Sequence, residues 1–129
     1  MIKYTFLMVL FLLSISGNAT SCLISDGSIT QNSLVYEERI NINISSTKGL
    51  LNVQLTVPSE IDGMKLRGII LRKDKSENAP FEFAMPLSTF IEHDKVMTWY
   101  NIDEKLAHGN YLTIDYGEDC GISLKYLVN

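Results

Sequence analysis

Apolar and polar residues alternate with period two through most of the chain after residue 38, and strands can be read from that alternation. Ile40, Ile42 and Ile44 alternate with Asn41 and Asn43. Leu51, Val53, Leu55 and Val57 then alternate with Asn52, Gln54 and Thr56, the cleanest run in the chain. Pro58 to Gly63 makes a turn, because Pro lacks a donor for the ladder and Asp62-Gly63 favours a tight reversal. The returning strand is expected to place Met64, Leu66, Gly68 and Ile70 on one face and Lys65, Arg67, Ile69 and Leu71 on the other. Phe81, Phe83, Met85 and Leu87 define another strand face, with Pro86 marking a sheet edge or a strand end. Val96 to Ile102, which holds Trp99 and Tyr100, is rich in β-formers. Those two residues are adjacent and must face opposite sides of a sheet. The chain closes in a hairpin, with Leu112, Ile114 and Tyr116 on the apolar face of one arm and Ile122, Leu124, Tyr126 and Val128 on that of the other. Between these segments, Ser88 to Lys95 suits a short helical turn and Asp103 to Gly109 one turn of helix or a loop. Leu23 to Ser33 reads as a polar lead-in with room for a short edge strand.

About seven short strands, turn signals between them and no amphipathic helix of three turns predict an all-β fold, a single antiparallel β-sandwich. Within it, Leu106-x-x-Gly109-x-Tyr111-x-x-x-x-Tyr116 resembles the loop-to-strand segment of immunoglobulin-like and fibronectin-type sandwiches. That resemblance implies an immunoglobulin-like general pattern, with Tyr111 as a structural corner bonded back to the preceding loop. It carries architecture and not function.

The N-terminus changes the compartment. Lys3 followed by an apolar run from Tyr4 to Ile15, then the small residues of Ser16 to Ser21, has the form of a secretory signal peptide over residues 1–21. The run is too short to span a bilayer, which takes roughly 20 apolar residues. The folded domain is therefore expected over residues 22–129, exported to the periplasm or the extracellular space. In an oxidising compartment its two cysteines, Cys22 and Cys120, favour a disulfide closing most of the domain. Ala19-Thr20-Ser21-Cys22 is also similar to a bacterial lipobox, and on that reading Cys22 carries a lipid anchor at the outer surface and Cys120 is left unpaired. Asn43-Ile44-Ser45 fits the N-glycosylation pattern, with Asn43 pointing outward in the register above.

Removing Lys3 from the 11 basic residues leaves them facing 15 acidic ones, a net charge of about −5. This argues against a nucleic-acid partner, which needs basic residues concentrated in a stripe. Chemistry is sparse. His93 and His108 are the only histidines, and Glu92-His93-Asp94 point in different directions on strand or helix, so neither a metal nor another cofactor is expected. No Gly-x-Ser-x-Gly elbow is present, and a bridged Cys120 offers no thiolate to His108. The feature most suggestive of a partner is a local basic cluster, Lys65, Arg67, Arg72, Lys73 and Lys75, with Trp99 as an exposed contact. The expected function is an exported, non-enzymatic module of the inhibitor or immunity type that binds a protein. A subunit of a cell-surface assembly and a small exported hydrolase are the alternatives.

Overall fold

The computed structural model describes residues 24–77, 81–119 and 121–128. The expected signal segment and both cysteines, Cys22 and Cys120, lie outside them. The elements are α1 (Asp26–Val35), a 3₁₀ turn (Glu37–Arg39), β1 (Asn41–Thr47), β2 (Leu50–Pro58), β3 (Glu60–Ile61), β4 (Met64–Lys73), β5 (Phe83–Pro86), β6 (Phe90–Glu92), β7 (Lys95–Asp103), α2 (Glu104–Ala107), β8 (Asn110–Tyr116) and β9 (Ile122–Leu127). Among the described residues no helix is long and apolar enough to cross a membrane.

Two antiparallel sheets pack face to face, as the alternation predicts. The first has the order β1-β2-β7-β6; the second has β3-β4-β8-β9, with β5 also on β4. Each inner face is the apolar set of its strands. Leu51, Val53, Leu55, Val57 and Val96 from the first sheet meet Ile69, Leu71, Leu112, Ile114 and Leu124 from the second, all buried. Tyr116 spans the two layers, because its buried hydroxyl donates to the Pro58 carbonyl at 2.7 Å. Two of the two-residue hairpins use the glycine chemistry their turns require. Lys48 and Gly49, at φ 52° and 79°, join β1 to β2, and Asp62 and Gly63, at 49° and 78°, join β3 to β4.

Several expectations need correction. Residues 26–35 form a helix, where a polar lead-in with an edge strand was expected. Ser25 caps it, its hydroxyl accepting from the Ser28 amide at 3.2 Å. The helix lies along the outer edge of β9: the Lys125 amide donates to Ser33 Oγ at 2.9 Å, and the Tyr126 hydroxyl donates to the Ser33 carbonyl at 2.8 Å. An edge that would otherwise present unpaired groups is thereby covered. Residues 90–92 form a short strand, β6, in place of a helical turn, paired with Val96 and its neighbours on β7. In β4 the strict alternation fails, because a bulge lies between Leu66 and Gly68. Leu66 faces Tyr116 across the sheet, and after the bulge Ile69 and Leu71 take the inner positions opposite Ile114 and Leu112. Finally, Tyr111 does not bond back to the loop ahead of its strand. Its hydroxyl donates to Asp74 Oδ1, in the loop after β4, at 2.6 Å.

Buried Tyr116 and partly buried Tyr126 give the fold an alkaline limit. Burial raises the Tyr116 phenol, and it pushes Tyr126 up to about 12. Both are held above the unfolded value near 10, so their contribution to stability is complete below about pH 10 and is lost as pH rises beyond it. Urea unfolding between pH 8 and 12 should show a stability plateau up to about pH 10 and a decline above it, shallower in Tyr126→Phe. A Tyr126→Phe profile as steep as the parent's would contradict this assignment.

Candidate functional site

The five basic residues do not form one patch. Lys65 to Lys75 spans ten residues of mostly extended chain, roughly 33 Å at about 3.3 Å per residue, so its two ends serve different surroundings. Lys65 and Arg67 lie with Glu60, Ile69, Leu87 and Val96 around an open cleft of about 590 Å³ between the β6 edge and the β3/β5 side of β4. Lys65 is directly opposite Glu60 in the β3–β4 ladder. Arg72 sits on the outer face of the second sheet, donating from Nε to Thr113 Oγ1 at 3.2 Å. Lys73 donates to the Leu106 carbonyl at 3.4 Å and lies 5.6 Å from the centroid of the Phe81 ring. Lys75 is exposed beyond the strand end.

The outer face of the second sheet is charged and largely satisfied by its own members. Besides the Arg72–Thr113 bond, Ser123 bonds to Asp115, and Lys125 Nζ stands 4.1 Å from the Tyr111 ring centroid. Burial first, and the bond to Asp74 second, push the Tyr111 phenol up to about 12, so it remains a donor at neutral pH.

The outer face of the first sheet is different in kind. Register places Asn43, Gln54 and Trp99 in one row across β1, β2 and β7. The row beside it holds Ser45, Asn52 and Asn101, where Asn52 Nδ2 donates to Asn101 Oδ1 at 2.8 Å. On the other side lie Thr56, Met97 and Phe90. Charged residues on this face stand only at the strand ends, Glu92 and Lys95 at one and Asp103 at the other. Asn43 points outward, as its register predicts, and is exposed.

Toward the β6 edge of that face two aromatic rings stack. Phe90 and Trp99 have centroids 4.7 Å apart and planes within 10° of parallel, yet Phe90 is 51% exposed and Trp99 54%. The stack is built from the inner side. Thr98 is buried, and its hydroxyl donates to the Ser88 carbonyl at 2.7 Å, which pins the chain two residues before Phe90 onto β7. Alternation then sends Trp99 outward and Tyr100 inward, where burial raises the Tyr100 phenol. Trp99 was readable as an outward candidate from its adjacency to Tyr100. Phe90 was not, because the segment holding it read as a helical turn.

Among the described residues no group of three His, Cys, Asp or Glu side chains is arranged to hold a metal ion. His93 occupies the β6–β7 turn at φ 60°, exposed. Comparison of the chain with family models, with curated proteins and with solved structures found no match.

Proposed function

We propose that this chain is an exported, non-enzymatic binding module that holds its partner on the outer face of the first sheet. Export rests on the N-terminal sequence. The observation that carries the binding reading is the half-exposed Phe90–Trp99 stack on the β6 side of a face whose charges stand only at the strand ends. Covering what remains of two such rings, roughly 200 Å² together at about 25 cal/mol per Å², would stabilise a complex by about 5 kcal/mol before the costs of association. The exposed pair is the kind of aromatic anchor on which specific interfaces centre.

Strand order supports an immunoglobulin-like connectivity. Setting β1, β2, β7 and β6 against strands A, B, E and D, and β5, β4, β8 and β9 against C′, C, F and G, keeps every antiparallel neighbour of that pattern. The cleft beside Lys65 and Arg67 favours a second reading, in which a segment of an assembly partner seats between the sheet edges.

Trp99 is the chain's only tryptophan, so its emission reports directly on this face. Envelope or culture-medium fractions that contain the partner should lower acrylamide quenching of Trp99 several-fold, and Lys65→Glu with Arg67→Glu should leave that protection intact. Protection abolished by the charge reversals would move the site to the cleft.

A further inference from the structure

We infer that the partner held on the first sheet is a neutral glycan chain, an inference that rests on the binding-face reading above. The face sets three conditions on its ligand. It carries no charge between Lys95 and Asp103 on β7, nor at the outward positions of β1 and β2 beside them, so a charged polymer finds no countercharge there. Its aromatic content is the Phe90–Trp99 pair, with Met97 beside it and Leu50 at the far end of β2, and the ring faces bear the negative side of the aromatic quadrupole and attract weakly positive C–H groups. Around the pair stand side-chain amides, Asn43, Gln54, Asn52 and Asn101, each able to donate and to accept.

A sugar ring meets all three conditions. One of its faces presents C–H groups for stacking, its rim presents hydroxyls that donate and accept, and a neutral polymer repeats both along a line. The amides lie on adjacent strands about 4.8 Å apart, a spacing comparable with one ring of such a chain. Asn52 and Asn101 already orient each other through their bond, so part of the polar set is arranged in advance. A protein ligand fits less well. Its contact centre would require a broader apolar surface than two stacked rings bordered by amides, and the only charges on the face, Glu92, Lys95 and Asp103, stand at the strand ends.

The test is native electrophoresis through gels containing soluble xylan, glucomannan, hydroxyethyl cellulose or dextran, with alginate as the polyanionic control. The full chain should be retarded by at least one neutral polymer and pass freely through alginate. Trp99→Ala should weaken that retardation at least tenfold, and Phe90→Ala and the exposed Gln54→Ala several-fold, each variant being folded at the running temperature by circular dichroism and Gln54→Ala keeping the parent's thermal midpoint. Free passage through every neutral polymer, retardation by alginate alone, or retardation indifferent to Trp99→Ala would each overturn the inference. If a protein fraction shields Trp99 from acrylamide while no neutral polymer binds, the glycan assignment fails and the binding face stands. If neither shields Trp99, both fail.

Discussion

Gly121→Ala should cost about 3 kcal/mol or more, the largest effect of any glycine substitution in the described chain. A Cβ at this position would lie 1.9 Å from the Tyr116 carbonyl oxygen and 3.0 Å from its carbonyl carbon. Both are backbone atoms, and neither is free to retreat. Tyr116 is paired with Ile122 on β9 and with Leu66 on β4, and its hydroxyl is fixed to the Pro58 carbonyl. The clash therefore falls on the turn that closes the β8–β9 hairpin and on the tie between the sheets. Gly68→Ala is the control, because a Cβ there meets nothing within 4 Å and needs no unusual backbone angle. Its effect should stay within about 1 kcal/mol of zero. Urea denaturation of the two variants decides the matter, and a Gly121→Ala protein as stable as the parent would contradict this hairpin geometry.

The β4 bulge makes the second large prediction. Without it, period two would bury Leu66, Gly68 and Ile70 together; with it, Ile69 and Leu71 occupy the core, each 1% exposed. Ile69→Ala should thus cost about 3 kcal/mol, the sum of lost transfer energy and a cavity among Ile114, Leu112 and their neighbours. Ile70→Ala, on the partly exposed outer face, should cost about 1 kcal/mol or less. Chemical denaturation of both variants measures the difference. Reversed magnitudes would mean that the strand runs through residues 66–70 without the bulge.

What the sequence made legible follows from how local each signal is. The β2 strand and both arms of the terminal hairpin obey period two from end to end, and Asp62-Gly63 names its own turn, so these elements are readable without tertiary information. The bulge is not readable, because it depends on pairing with β8, and it reverses the faces assigned to Ile69 and Ile70. Helix α1 is also hidden: Gly27, Ser28, Thr30, Asn32 and Ser33 are weak helix formers, and its stability comes from the Ser25 cap and from docking on the β9 edge. Strand β6 is three residues long and is defined by β7 and by the Thr98–Ser88 bond.

The site divides in the same way. That Trp99 and Tyr100 face opposite sides is local and legible, whereas which of them faces outward, and the stacking of Trp99 on Phe90, need the sheets and strands brought together. The division of the basic cluster follows from the length of β4 alone, since residues at opposite ends of a ten-residue strand cannot share a contact.

The central claim is that binding occurs on the outer face of the first sheet, and amide chemical-shift mapping tests it most directly. The measurement is a titration of the isotope-labelled protein with whichever partner protects Trp99 or retards the chain. The predicted result is a cluster of perturbed amides and indole at Asn43, Gln54, Phe90, Trp99 and Asn101, with Arg72 and Lys125 on the opposite face unchanged. Perturbations gathered instead around Lys65, Arg67 and Leu87 would contradict the account and place the partner in the cleft.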